Sequence, residues 1–213
     1  DDSGSNTFDS KLAYVGLDSD MGALSVGRQS HPFADNIGGK TSIFNVYGGS
    51  SDWNYGSRSS NSMKFSTTQS GLTLDTIGIV DGSSTNTNAF DEFEVTISTK
   101  LLGSDISVGY ADDVNSDISY WGVSGSTDLG PLTVSSSYTI YDAATDKYGL
   151  EATASYSIFS VGYGDKEGTG VSYTAGVSHD LNKSVSVYAE GEMKDLDSGS
   201  DTTSWSIGSK FTF

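Results

Sequence analysis

SWSIGSKFTF, residues 204–213, is the most informative stretch of the chain. Side chains alternate across an extended strand with period two. Trp205, Ile207, Ser209, Phe211 and Phe213 therefore share one face, and Ser204, Ser206, Gly208, Lys210 and Thr212 the other. A soluble sheet would turn the apolar face into a core. Here no further segment is expected to pack over it, and the same alternation recurs along most of the chain. The expectation is that the apolar faces point outward, into lipid.

Working backward, Val185, Val187, Ala189 and Met193 oppose Ser186, Tyr188, Glu190, Glu192 and Lys194. Val171, Tyr173, Ala175 and Val177 oppose Ser172, Thr174, Gly176 and Ser178, and Tyr148, Leu150 and Ala152 oppose Gly149, Glu151 and Thr153. Phe93, Val95 and Ile97 oppose Glu92, Glu94 and Thr96. The second face is uniformly small, polar or charged, which reads as a wall facing water. About thirteen such strands can be counted back to one over residues 10–17. Tight turns (18–22, 68–71, 101–104, 128–131, 157–158, 179–184) alternate with longer, mostly acidic loops. Short turns on one side and long loops on the other describe a transmembrane antiparallel β-barrel.

Composition agrees with that reading. Only 35% of the 213 residues are hydrophobic, and no run of about 18 apolar residues exists, so no transmembrane helix is expected; a spanning strand escapes that test. A formal net charge of −17 argues against a nucleic-acid partner, which needs clustered Lys and Arg. Cysteine is absent, so disulfide and thiolate-metal sites are excluded. The opening DDSGSNT reads as a polar loop and not as a signal sequence, so a processed or incomplete chain is expected.

One segment breaks the rhythm. Residues 30–57 form the longest irregular stretch, with Phe33, Phe44, Tyr47, Trp53, Tyr55, the pairs Gly38-Gly39 and Gly48-Gly49, and only two acids, Asp35 and Asp52. A structureless segment of that length is functional or disordered, and its aromatics favour a packed loop. His31 and His179 sit in this loop and in a turn, without acid–nucleophile spacing around them; a surface role outweighs a catalytic one. No GxSxG elbow precedes a helix, and no lipase- or protease-like arrangement is apparent. Asp112-Asp113 and Asp195, Asp197 and Asp201 are candidates for loosely bound Ca²⁺ or Mg²⁺, with plain solvation favoured because the bidentate Glu and Gly of a calcium loop are missing. No other cofactor is expected.

Three local signatures resemble the general porin family of Gram-negative outer membranes. They are KLAYVGL (11–17), a turn and ALSVGRQ (23–29); the long segment closed by RSSNSMKF (58–65); and the terminal aromatic strand. The resemblance covers essentially the whole chain. It implies a sixteen-stranded trimeric barrel whose fourth strand corresponds to the first one here, so that three strands would be missing or supplied by another segment. It implies one domain over 1–213, with 30–57 folded inward as a constriction loop. Trp205, Phe211 and Phe213 would be the assembly signal read by the barrel insertion machinery. Arg28 and Arg58 match wall arginines, and Asp35 and Asp52 the loop acids. Lys64, sharing parity with Arg58, should also face the lumen. Arg28 shares parity with Leu24 and Val26, so it reaches the lumen only through a bulge or a strand end.

The function so implied is a water-filled channel for passive diffusion of ions and small hydrophilic solutes. The interior acids Glu92, Glu94, Glu151, Glu190 and Glu192 give it a cation preference. Membrane lipid and lipopolysaccharide are the expected surroundings. Two rivals stand beside it: a structural or recognition barrel, such as an adhesin or phage receptor, and a soluble carbohydrate-binding β-sandwich.

Overall fold

A computed structural model describes residues 11–54, 56–80 and 90–212. Thirteen antiparallel strands follow one another in a single sheet, each hydrogen-bonded to its sequence neighbours. They are β1 (Ala13–Ser19), β2 (Gly22–Ser30), β3 (Arg58–Gln69), β4 (Leu72–Ile79), β5 (Glu92–Leu101), β6 (Ser104–Asp113) and β7 (Ile118–Leu129). β8 (Leu132–Asp142), β9 (Lys147–Tyr156), β10 (Phe159–Lys166), β11 (Gly170–Asn182), β12 (Val185–Leu196) and β13 (Thr202–Phe211) complete the sheet. No described helix is long and apolar enough to cross a membrane. β11 runs four residues into the expected 179–184 turn because Asp180 and Asn182 pair with β12 through a register shift; apolar alternation, the signal available from sequence, has faded there.

The burial pattern is that of a soluble sheet turned inside out. Outward Ile207 and Trp205 are 74% and 76% exposed, while Thr139 and Thr96 on the opposite face are 0% and 1% exposed. Apolar side chains left bare on every strand fit lipid, and a polar interior fits a lumen. Outward aromatics on adjacent strands line up a few residues short of the long-loop ends. Tyr110 meets Trp121 with ring centroids 4.5 Å apart, and Tyr163 meets Tyr173 at 5.6 Å. That level suits an interfacial girdle. Trp205 and Phe211 join the exposed outer face; Phe213, Tyr55 and the 81–88 loop lie outside the described residues.

Between β2 and β3 the chain is ordered. Pro32 opens a short helix, α1 (Pro32–Asn36), where its fixed φ and missing N–H cost nothing. A 3-10 turn, Gly38–Lys40, follows, and the described residues from 41 to 54 and 56 to 57 continue as an irregular strap. This segment touches strands from β3 round to β12 on their polar sides. Contacts spread over so many strands require the polar face to be concave.

Candidate functional site

The strap lies on the inner wall because two kinds of inward residue receive it. The first is glycine. A Cβ at Gly122 would stand 2.8 Å from both Phe33 and Ile37, and one at Gly162 would stand 2.8 Å from the Phe44 ring. At Gly149 it would collide with the Ser51 carbonyl oxygen. Missing side chains at these inward positions are what let the loop approach the wall. Phe33 and Ile37 then bury with Ala111 and Tyr120, flanked by Trp53, Ile118 and Tyr141, as a small apolar core inside the barrel. Trp53 closes it, stacking on Tyr141 at 4.9 Å and donating from Nε1 to the Tyr148 carbonyl at 3.0 Å. Lys166 Nζ lies 4.2 Å from the Trp53 ring centroid.

The second kind is glutamate. Glu190 accepts the N–H groups of Asn45 and Val46 at 2.7 and 2.9 Å and the Asn45 side-chain amide at 2.8 Å. Glu151 takes the Ser51 N–H at 2.9 Å and the Thr41 hydroxyl at 3.0 Å. Glu94 takes the Phe33 N–H at 2.9 Å. Glu192 accepts from the Gly48 N–H at 3.4 Å and pairs with Lys194 at 3.0 Å. A strap without regular structure leaves backbone donors unpaired, and buried carboxylates supply them with charge-assisted acceptors.

This corrects one sequence reading. Glu92, Glu94, Glu151, Glu190 and Glu192 do point inward, yet each is at most 6% exposed. They face a dry seam under the loop instead of water. Alternation specifies the side of a strand, but not what covers it.

The proposed constriction residues divide three ways. Lys64 and Asp35 line one cavity of about 530 Å³ with Ser25, Gln29, Ser66 and Asp75 on its polar side and Leu12, Tyr14 and Leu24 on its apolar side. Burial raises the Asp35 pKa; Lys64, His31 and Arg58 oppose the rise and Glu94 adds to it. Asp75 accepts from Asn36 Nδ2 at 3.0 Å, tying α1 to β4. Asp52, by contrast, is 6% exposed in the seam, where both its oxygens accept from Ser137 Oγ at 2.7 and 3.0 Å. Burial lifts its pKa to about 6 against the pull of that hydrogen bond, and nearby Glu151 adds to the rise.

The arginines fall elsewhere. Arg28 stays on the outward side with Val26 and Met63, donating to Ser60 Oγ at 3.2 Å. A bulge does exist, but its extra residue belongs to β3, where Asn61 has φ 54°. β2 keeps its parity, so Arg28 is not re-aimed. The same bulge changes the parity of β3: Ser59, opposite Gln29, takes the inward position, and Arg58, opposite Ser30, does not share the face of Lys64.

His31 is also misplaced by the sequence reading. It is fully buried, with Nε2 2.8 Å from Ser59 Oγ and Nδ1 2.7 Å from Glu94 Oε1. The connectivity is that of a serine–histidine–acid relay. Burial disfavours the imidazolium, but Glu92 and Glu94 outweigh burial and lift the His31 pKa to about 9. A histidine already protonated at neutral pH cannot act as a general base, so the chain of contacts is read as a clasp. Only folding brings residues 31, 59 and 94 together. The acidic loops are used locally: Asp113 Oδ1 accepts the Asn115 and Ser116 N–H groups, and Asp201 Oδ1 the Leu196 N–H.

A family model described as Gram-negative porin matches residues 1–199. No curated protein sequence matches significantly. Among solved structures, OmpF of Salmonella typhi in complex with daunomycin superposes with a TM-score of 0.78 at 15% identity, over 95% of this chain and 78% of that one. A loop-deletion form of OmpT, an outer membrane protein of Vibrio cholerae, gives 0.74 at 16% identity, over 93% and 78%. A trimeric form of that OmpT gives 0.73 at 15% identity, over 94% and 80%.

Proposed function

The chain belongs to the Gram-negative porin family, an outer-membrane β-barrel protein, and on that premise we propose that it is a passive diffusion pore for ions and small hydrophilic solutes. The observation that carries this reading is the strap after β2, seated on the inner wall from β3 to β12 beside an open cavity bearing Lys64, Asp35 and Asp75. A loop held so firmly inside a barrel narrows the lumen, and charges facing one another across the remaining gap sort ions by sign. Lys64 opposes two acids there, and with the acidic outer loops this supports a mild cation preference. Arg58 acts on that gap through its charge at Asp35. The thirteen described strands then belong to one barrel domain, with the strap as its constriction loop.

The trimeric structural neighbour supports a homotrimer, and the exposed outer surface suits lipid and lipopolysaccharide. Trp205 and Phe211, on the outer face of the last strand, fit recognition by the barrel insertion machinery. Single-channel recording in a planar bilayer tests the proposal. Stepwise openings, grouped in threes, with a cation-directed reversal potential are expected. A silent bilayer from folded, heat-modifiable protein would overturn it and favour a recognition barrel.

A further inference from the structure

The charges beneath the start of the strap do not balance. Glu92, Glu94 and His31 are 2%, 1% and 0% exposed. Two carboxylates therefore face one imidazole, which carries at most one positive charge, in a site with almost no access to water. Glu94 is served by the Phe33 N–H and by His31 Nδ1. Glu92 is not: among the described residues neither of its oxygens receives a hydrogen bond. Its Oε1 lies 3.4 Å from His31 Nδ1, whose bonding direction Glu94 already occupies at 2.7 Å. A buried carboxylate without a donor is strongly unfavourable, and here it is aimed at two further ligating groups.

We propose that His31, Glu92 and Glu94 form a binding site for a divalent transition-metal ion of the zinc class. One donor atom from each residue lies within 4.8 Å of the other two. Ligands held at about 2.0–2.1 Å on a tetrahedral ion stand roughly 3.3 Å apart. The 3.4 Å contact matches that spacing, and the 2.7 Å contact must open by about half an ångström. On binding, the ion displaces the proton that His31 otherwise holds, and the two carboxylates with the then neutral imidazole cancel a double positive charge. The mixed nitrogen and oxygen donors favour zinc-class ions over calcium or magnesium, which prefer all-oxygen cages. Supporting contacts are already in place. Nε2–H can donate to Ser59 Oγ, fixing the tautomer that leaves Nδ1 for the metal, and the Phe33 N–H orients Glu94. His31 follows directly on β2 and both glutamates stand on β5, so the ion would rivet the first residue of the strap to the wall.

The experiment uses the full chain, folded in detergent, stripped with chelator and equilibrated with Zn²⁺ alone. One zinc per chain surviving desalting is expected, with Mg²⁺ failing to compete. Glu92→Gln should weaken binding by at least about tenfold, and Glu151→Gln should leave it unchanged. Glu92→Gln decides the matter even if His31→Gln fails to assemble, because among the described residues Glu92 accepts no hydrogen bond and gives up only its 3.4 Å ion pair with His31. Co²⁺ in place of Zn²⁺ should give visible ligand-field bands that Glu92→Gln abolishes. No retained zinc, or equal retention in Glu92→Gln, overturns the site and assigns any binding to surface acids.

Discussion

The inner wall has two halves that look alike in sequence and behave oppositely. From β5 to β12 it carries Glu94, Thr96, Ser137, Thr139, Glu151 and Glu190, all buried under the strap. From β2 to β4 it carries Ser25, Lys64, Ser66 and Asp75, which line an open cavity. Both halves alternate polar with apolar and both contain acids. What separates them is spacing: the covered half puts glycines beside its glutamates, making a seat and acceptors for a loop backbone. An acid on a barrel wall is thus a latch or a filter according to what lies over it.

Removing a latch should have the largest effect. Glu190 receives three donors from Asn45 and Val46, and hydrogen bonds to a charged group contribute about 1.5–3 kcal/mol each. Glu190→Ala should weaken docking of that part of the strap by about 4 kcal/mol after partial replacement by water. Amide exchange at Asn45 and Val46 should then quicken by roughly a thousandfold, with channel conductance rising and becoming noisy. Unchanged exchange would mean that the glycine seat alone holds the strap.

The seam also predicts a pH dependence, and its sign is the reverse of an ordinary ion pair. Burial raises Asp52 from 3.8 to about 6, so the docked strap binds the proton more tightly than the free one. The extra stability is complete below about pH 4 and is lost as pH rises through about 6, on the order of 3 kcal/mol in all. Proteolysis within the strap should accelerate across that window. Asp52→Asn should flatten the profile and hold the strap in its low-pH state. A wild-type profile flat from pH 4 to 7 would contradict the burial argument.

The barrel was legible in the sequence because alternation at residues such as Ile207, Trp205, Ile97 and Val108 is a local signal that folding leaves intact. The irregular segment reads as 30–57 from the place where alternation stops, and β2 runs on through Ser30 before the strap begins. The site was less legible. Arg58 and Lys64 share parity on paper, and one left-handed residue, Asn61, separates them. Arg28 needed a bulge in its own strand, and the bulge formed in the neighbour. The link between His31, Ser59 and Glu94 depends on curvature that periodicity does not encode. The glycines were the missed clue: Gly149, Gly162, Gly164 and Gly176 all fall on the polar side of adjacent strands, where a water-facing wall has no need of them.

In Gly122→Ala the new methyl would press on Phe33 and Ile37 at 2.8 Å, an overpacking that costs about 1–3 kcal/mol. The first half of the strap should loosen while the Glu190 contacts persist, seen as faster exchange at Ile37 but not at Val46. Equal loosening at both ends would show that the strap docks as one unit.

The smallest effect separates filter from latch most directly. Lys64 is the cation in the open cavity, and Glu151 is a buried anion already committed to Ser51 and Thr41. Each substitution, Lys64→Gln or Glu151→Gln, changes the formal charge by one unit. If exposure to the lumen decides selectivity, Lys64→Gln should move the reversal potential by a few millivolts, about a tenth of the full cation-selective range, toward stronger cation preference. Glu151→Gln should barely move it. The contrast should fade in high salt, where screening falls within a few ångströms. Equal and opposite shifts from the two variants would mean that buried glutamates act on permeating ions through the strap, and that the wall is a single electrostatic surface after all.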